Sequence, residues 1–133
     1  MSEIKIIERK KKDPNEHDLQ KEVSEFLKER VGWSGWKASD QYTRGVSDNI
    51  GCFYGFFVCI ELKNPTTKPD ATDLQRDFIK KKIDMGGYGA VCWSLDQVKR
   101  FLVDVERDIQ TRLNGKNYAI VPYVNPIKIN LFS

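Results

Sequence analysis

Apolar positions recur along the chain with two different periods, and the switches between them mark the elements. In residues 56–63, Phe56, Val58, Ile60 and Leu62 alternate with Phe57, Cys59, Glu61 and Lys63. Successive side chains of a strand point to opposite faces, so this run predicts a strand with four apolar residues on one face. The other face starts apolar and ends in two opposite charges. A strand apolar on both faces is normally buried on both, and charges at its end then need a partner, a metal or open solvent. Residues 45–53 predict a shorter strand ahead of it, joined by a turn at Tyr54-Gly55. Asp48 begins that strand, so a hairpin brings its carboxylate toward Glu61.

Helical spacing governs three other stretches. Asp13-Pro14-Asn15-Glu16 opens the first, with Asp13 as the cap and Glu16 completing a capping box. Leu19, Val23, Phe26 and Leu27 carry it to about Arg30, and Glu16 and Gln20 sit at the edge of its buried stripe. A second helix spans residues 72–85, with Leu74, Phe78, Ile79 and Ile83 on one side and Thr72 or Asp70 as cap. Gly86-Gly87 stops it. The third follows the capping box Ser94-Leu95-Asp96-Gln97 and keeps Leu95, Val98, Leu102, Val105, Ile109 and Leu113 in register. Residues 33–38, with Trp33 and Trp36 as core or rim aromatics, predict one more strand. Residues 88–93 and 117–124 predict two further ones, and 126–132 an extended tail. The order is helix, three strands, helix, strand, then helix and one or two strands, an α/β chain.

Composition narrows the class. At 133 residues the chain suits one domain with a core, and 40% apolar with 31% charged residues fits a soluble globular protein. The net charge of +3 does not by itself announce a nucleic-acid binder, so any binding face must come from local clustering. Cys52, Cys59 and Cys92 form no CxxC pair and are expected as buried thiols in a reducing compartment. His17 is the sole histidine, which argues against a His-based metal site or a His general base. No signal peptide and no membrane-length apolar run is present, so an intracellular location is expected.

Two carboxylates, Asp48 and Glu61, and the Lys63 ammonium around one point are what a magnesium-dependent phosphodiesterase needs. Glu-x-Lys alone carries no weight, since it occurs at Glu3, Glu8 and Glu61. Only the third ends an apolar strand behind an Asp.

Several blocks stand together in order: Arg44-Gly45-Val46-Ser47-Asp48, Gly55-Phe56, Ile60-Glu61-Leu62-Lys63-Asn64-Pro65, Leu74-Gln75-x-x-Phe78 and Gly86-Gly87. This arrangement resembles the VRR-NUC (virus-type replication-repair nuclease) branch of the PD-(D/E)XK nucleases, over about residues 16–102. The usual Pro before the Asp is Ser47 here, which departs from the motif but removes no ligand. The resemblance implies an αβββαβ restriction-endonuclease-like core, a central mixed sheet flanked by helices. A single nuclease domain over residues 1–133 follows, with its core at about 13–102 and a C-terminal helix-strand extension at about 103–133. It also assigns Glu16 as an extra acidic residue pointed at the metal site.

The expected function is a magnesium-dependent DNA endonuclease, with manganese able to substitute, acting in phage or viral replication, repair or recombination. Asp48 and Glu61 are the expected metal ligands, with the Leu62 carbonyl and Glu16 as secondary ones. Lys63 would orient the attacking water and stabilise the transition state, and Gln75 would position nucleophile or strand. Arg44, Lys68, Lys80, Lys81 and Lys82 are the expected DNA contacts. Paired cuts in a four-way junction need a twofold dimer. An apolar edge around residues 118–132 suits one, so a homodimer on branched DNA is expected, with no membrane association. A non-catalytic DNA-binding or interaction module on the same fold, and a restriction-type enzyme reading a specific sequence, stay open beside it.

Overall fold

A computed structural model describes residues 12–38 and 45–114. The elements run α1 (Glu16–Glu29), β1 (Trp33–Lys37), β2 (Asn49–Phe53), β3 (Phe56–Leu62), α2 (Asp73–Asp84), β4 (Tyr88–Cys92) and α3 (Leu95–Asn114). The sheet order is β1-β2-β3-β4, with the first three strands antiparallel and β4 parallel to β3. Antiparallel neighbours can follow a tight turn, whereas the parallel step needs a crossover, which α2 provides. The expected strand at 117–124, the tail and the dimer edge lie outside the described residues. Among the described residues no helix is long and apolar enough to cross a membrane.

The β2–β3 hairpin turns at Tyr54 and Gly55, with φ of 47° and 87°. Positive φ at both central residues is the tight-turn geometry whose twist matches the flanking strands. Register follows: Asn49 lies opposite Ile60 and Phe53 opposite Phe56.

The sheet is covered on both faces. Val58, Ile60 and Leu62 join Phe53, Cys92, Leu19, Val23 and Leu27 of α1, and Val98, Leu102, Val105 and Ile109 of α3 in one buried cluster. Each such side chain contributes about 1.5–3 kcal/mol relative to an exposed one. α2 lies over the opposite face, where the Lys82 ammonium stands 5.9 Å from the centre of the Phe57 ring.

Helix starts differ in part from expectation. Asn15, not Asp13, caps α1: its side chain accepts from the Asp18 N–H, and the Asp18 carboxylate accepts from the Asn15 N–H. Glu16 is therefore the first helical residue and takes no part in the box. At α2 the cap is Thr72, with Gln75 returning the bond. The Ser94 hydroxyl accepts from the Gln97 N–H as expected, while the Gln97 side chain reaches back one residue further, to the Trp93 N–H. The apolar side predicted for α2 is narrower than its spacing suggests. Ile79 is buried, but Leu74 and Ile83 are about half exposed, because α2 packs mainly on β4 and β3 at one side of the sheet.

Candidate active site

Alternation along β3 puts Cys59, Glu61 and Lys63 on the α2 side of the sheet. Glu61 is 2% exposed and Lys63 9% exposed, so both charges are buried side chains at the strand's end. Their approach is 3.8 Å, from Lys63 Nζ to Glu61 Oε1. Asp48, directly ahead of β2, faces Glu61 across the hairpin. Its N–H donates to Glu61 Oε2 at 3.2 Å, and its own Oδ2 accepts from the Leu62 N–H at 2.8 Å. The Glu61 carboxylate thus holds the Asp48 backbone and the Asp48 carboxylate that of Leu62, the residue after Glu61, and their relative position is set by the register of two paired strands.

Gln75 reaches the site from α2. Its Oε1 accepts from the Thr72 N–H at 2.9 Å, and its Nε2 donates to Glu61 Oε1 at 2.8 Å. Both arms are engaged, so Gln75 fixes the carboxylate's orientation and is a positioning residue rather than a group aimed at a nucleophile. Gly45 sets how closely the chain entering the site passes α2. Its φ is +84°, and a Cβ there would stand 2.6 Å from the Leu74 carbonyl oxygen, so only glycine fits.

Burial, with the neighbouring Asp48 charge second, pushes the Glu61 carboxyl up to about 8. Lys63 and the Asp48 N–H oppose the rise, and Glu16 adds to it through space. Burial also raises the Asp48 carboxyl, against the Leu62 N–H, Lys63 and Lys37. One lysine does not balance two desolvated carboxylates, so both are pushed toward their protonated forms.

Glu16 thus lies within electrostatic reach of Glu61, on the first turn of α1, half-buried. It does not complete a ligand cluster: among the described residues no three His, Cys, Asp or Glu side chains gather as a metal-binding group. Asp48 and Glu61 remain as two hard oxygen donors, which fits magnesium, an ion that often takes one or two carboxylates and keeps several waters.

The loop after Lys63 is pinned around this end of the sheet. The Asn64 Oδ1 accepts from the Thr66 and Thr67 N–H groups, the Thr66 hydroxyl donates to the Pro14 carbonyl, and the Trp93 indole donates to the Pro69 carbonyl. Lys68 is exposed on this loop. The lysine run of α2 does not form one basic face. Lys80 is exposed, Lys81 pairs with Asp77 at 2.9 Å, and Lys82 folds over the Phe78 ring at 4.9 Å as well as over Phe57. Arg44 lies outside the described residues. Two contributions went unread in the sequence: the Lys37 charge near Asp48, and the burial of Ser47, whose hydroxyl has no hydrogen-bond partner. No family model, curated protein or solved structure matches the chain.

Proposed function

We propose that the chain is a magnesium-dependent DNA endonuclease of the PD-(D/E)XK type, in its VRR-NUC branch. One observation carries the reading: Glu61 and Lys63, buried at the end of β3, stand together with the half-buried Asp48 ahead of β2, and a glutamine is bonded to Glu61. Buried charges are costly and are rarely retained without a partner or a task. The α/β frame, with a mixed four-stranded sheet and a crossover helix, is compatible with that superfamily and with others.

In this reading Asp48 and Glu61 would hold the ion, with the Leu62 carbonyl as a further donor and Glu16 acting through its charge alone. When bound, magnesium supplies a more acidic water and neutralises charge developing on the phosphoryl oxygens. The Lys63 ammonium, held beside Glu61, orients the attacking water and stabilises the same developing charge. Gln75 keeps Glu61 from rotating out of line. Exclusion of bulk water at this buried end strengthens each of these interactions.

The proposal extends to a homodimer acting on branched DNA, since one site cuts one strand and paired cuts require two. The test is a cleavage panel over duplex, flap, splayed and four-way DNA, with magnesium, manganese or a chelator, beside sedimentation of the full chain. Metal-dependent cleavage abolished by the chelator is the expected result; equal cleavage in the chelator overturns it. A second reading, a non-catalytic DNA-binding module, is favoured by the set of only two carboxylates in ligand position. Binding of every substrate with cleavage of none under either metal would select it.

A further inference from the structure

Strand β1 carries two tryptophans, Trp33 and Trp36, and alternation along a strand sends them to opposite faces. Trp33 pairs with Phe53 and packs against the buried cluster shared with α1 and α3. Trp36 pairs with Ile50, and Ile50 with Cys59, so Trp36 lies on the α2 face. α2 packs mainly on β4 and β3, at the far side of that face. Trp36 is accordingly 64% exposed, although indoles are ordinarily well buried. The Ala38 N–H donates to the Asp48 carbonyl at 2.8 Å and extends the β1–β2 ladder by one pair past Lys37 and Asn49. Trp36 is thus two steps along a strand and one strand across from Asp48, which puts their Cα atoms roughly 8 Å apart. The chain entering Asp48 is covered on its α2 side, where Gly45 passes against the Leu74 carbonyl and Ser47 is fully buried. On the β1 side lie the half-buried Ala38 and Ile50, and then the exposed indole. Ser34, Trp36, Ile50 and Cys52 are the residues of β1 and β2 on this face, and none carries a formal charge.

We infer that Trp36 is a specificity-determining residue of the candidate active site, stacking on the base of an unpaired nucleotide one or two positions from the phosphate held at Asp48 and Glu61. An uncharged apolar floor offers a phosphate nothing, but it suits the flat face of a base. Aromatic stacking is how proteins hold unpaired strands without reading their sequence. The spacing agrees, because successive nucleotides of a stacked strand are about 3.4 Å apart. A base inside a duplex must first be unstacked and unpaired to reach an indole, whereas a base already single-stranded avoids that cost. The inference rests on the nuclease reading and deepens it: the strand presented to the carboxylates comes from a splayed, flapped or frayed end rather than an intact duplex.

The binding test needs no cleavage. Fluorescence anisotropy of the full chain in chelator compares labelled oligothymidylate with a duplex of equal length. Trp36→Ala should weaken oligothymidylate binding roughly 5- to 100-fold, the range for losing one base–aromatic stack, while Trp36→Phe retains most of it. Duplex binding and urea unfolding should stay at the wild-type values, since the side chain is largely exposed. In magnesium, Trp36→Ala should raise KM for splayed DNA by a similar factor and leave kcat in place. Unchanged oligothymidylate binding by Trp36→Ala, or an equal loss on single strand and duplex, overturns the inference. The two readings fail separately. Trp36-dependent oligothymidylate binding without any metal-dependent cleavage keeps the stacking residue and removes the nuclease; metal-dependent cleavage with Trp36→Ala binding like wild type does the reverse.

Discussion

The two faces of β3 are equally buried and chemically opposite. On one, Val58, Ile60 and Leu62 are fully buried in a cluster with apolar side chains of α1 and α3. On the other, Cys59 is as deeply buried, but the next two positions are Glu61 and Lys63, beneath α2. The first face follows from the hydrophobic effect alone. The second does not, because a buried ion pair seldom stabilises a fold more than apolar residues of the same volume would. The difference separates residues that hold the fold from residues that the fold holds.

The largest expected effects come from breaking each face by itself. Asp48→Asn keeps shape and the one oxygen that accepts from the Leu62 N–H, and Glu61→Gln keeps shape and one of its two acceptor oxygens; both remove the carboxylate charge. Each should abolish metal-dependent cleavage and leave urea unfolding at neutral pH no weaker than wild type. Ile60→Ala should instead lose about 2–5 kcal/mol of stability, the usual range for emptying a core position, with cleavage intact in the fraction still folded. Loss of folding in Glu61→Gln, with Ile60→Ala unaffected, would invert the assignment of the two faces.

Lys63→Ala comes next. Loss of one preorganised charge-stabilising donor is expected to lower the rate roughly 10²–10³-fold. Metal affinity should hold or improve, since a like charge leaves the ion's neighbourhood. A wild-type rate in single-turnover assays would reduce Lys63 to the structural partner of Glu61.

A smaller effect is expected from pH. Between the ordinary carboxyl value near 4.5 and about 8, the folded chain keeps on Glu61 a proton that the unfolded chain has released. Metal-free stability therefore falls as pH rises through that window, by at most about 1.4 kcal/mol per pH unit for one proton. The raised Asp48 carboxyl acts in the same direction. Glu61→Gln should flatten the slope, and magnesium should stabilise the wild-type chain more at the top of the window than at the bottom. Denaturant titrations across the range decide it; a stability that rises with pH would show that the pair is ionised and satisfied without a cation.

What the sequence disclosed follows the same division. Parity along residues 56–63 sorts the two faces correctly, because alternation is a geometric property of any strand. The Tyr54-Gly55 turn fixes the register, and register alone places Asp48 opposite Glu61. Contacts between distant elements left no such mark. Nothing in the spacing of α2 says that Gln75 both caps its helix and bonds Glu61, or that Lys82 turns from solvent onto Phe57 and Phe78. At α1, Asp13 with Glu16 and Asn15 with Asp18 are overlapping boxes of near-equal merit, and only the packed helix shows which one forms. Trp36 reads as a core or rim aromatic, and it stays exposed because it lies on the α2 face of the edge strand β1, with Ile50 and Cys59, while α2 packs over β3 and β4.

The smallest predicted effect tests whether every polar group on the α2 side belongs to the site. Ser47, directly ahead of Asp48, is fully buried, and its hydroxyl makes no hydrogen bond. The group is near enough to the Cys59 thiol to bias its titration, yet the Cys59 Sγ donates instead to the Tyr88 carbonyl at 3.6 Å. An unsatisfied buried hydroxyl costs about 1–3 kcal/mol, so removing it should relieve strain on the fold without touching a ligand. Ser47→Ala is accordingly expected to gain about 1 kcal/mol in urea unfolding and to cleave at the wild-type rate. Glu61→Gln should share the gain in stability at high pH but lose cleavage, which is what distinguishes a polar group kept for chemistry from one merely tolerated. If Ser47→Ala lost activity while gaining stability, the hydroxyl would join the site, and the boundary of the charged face would move one residue toward the entering loop.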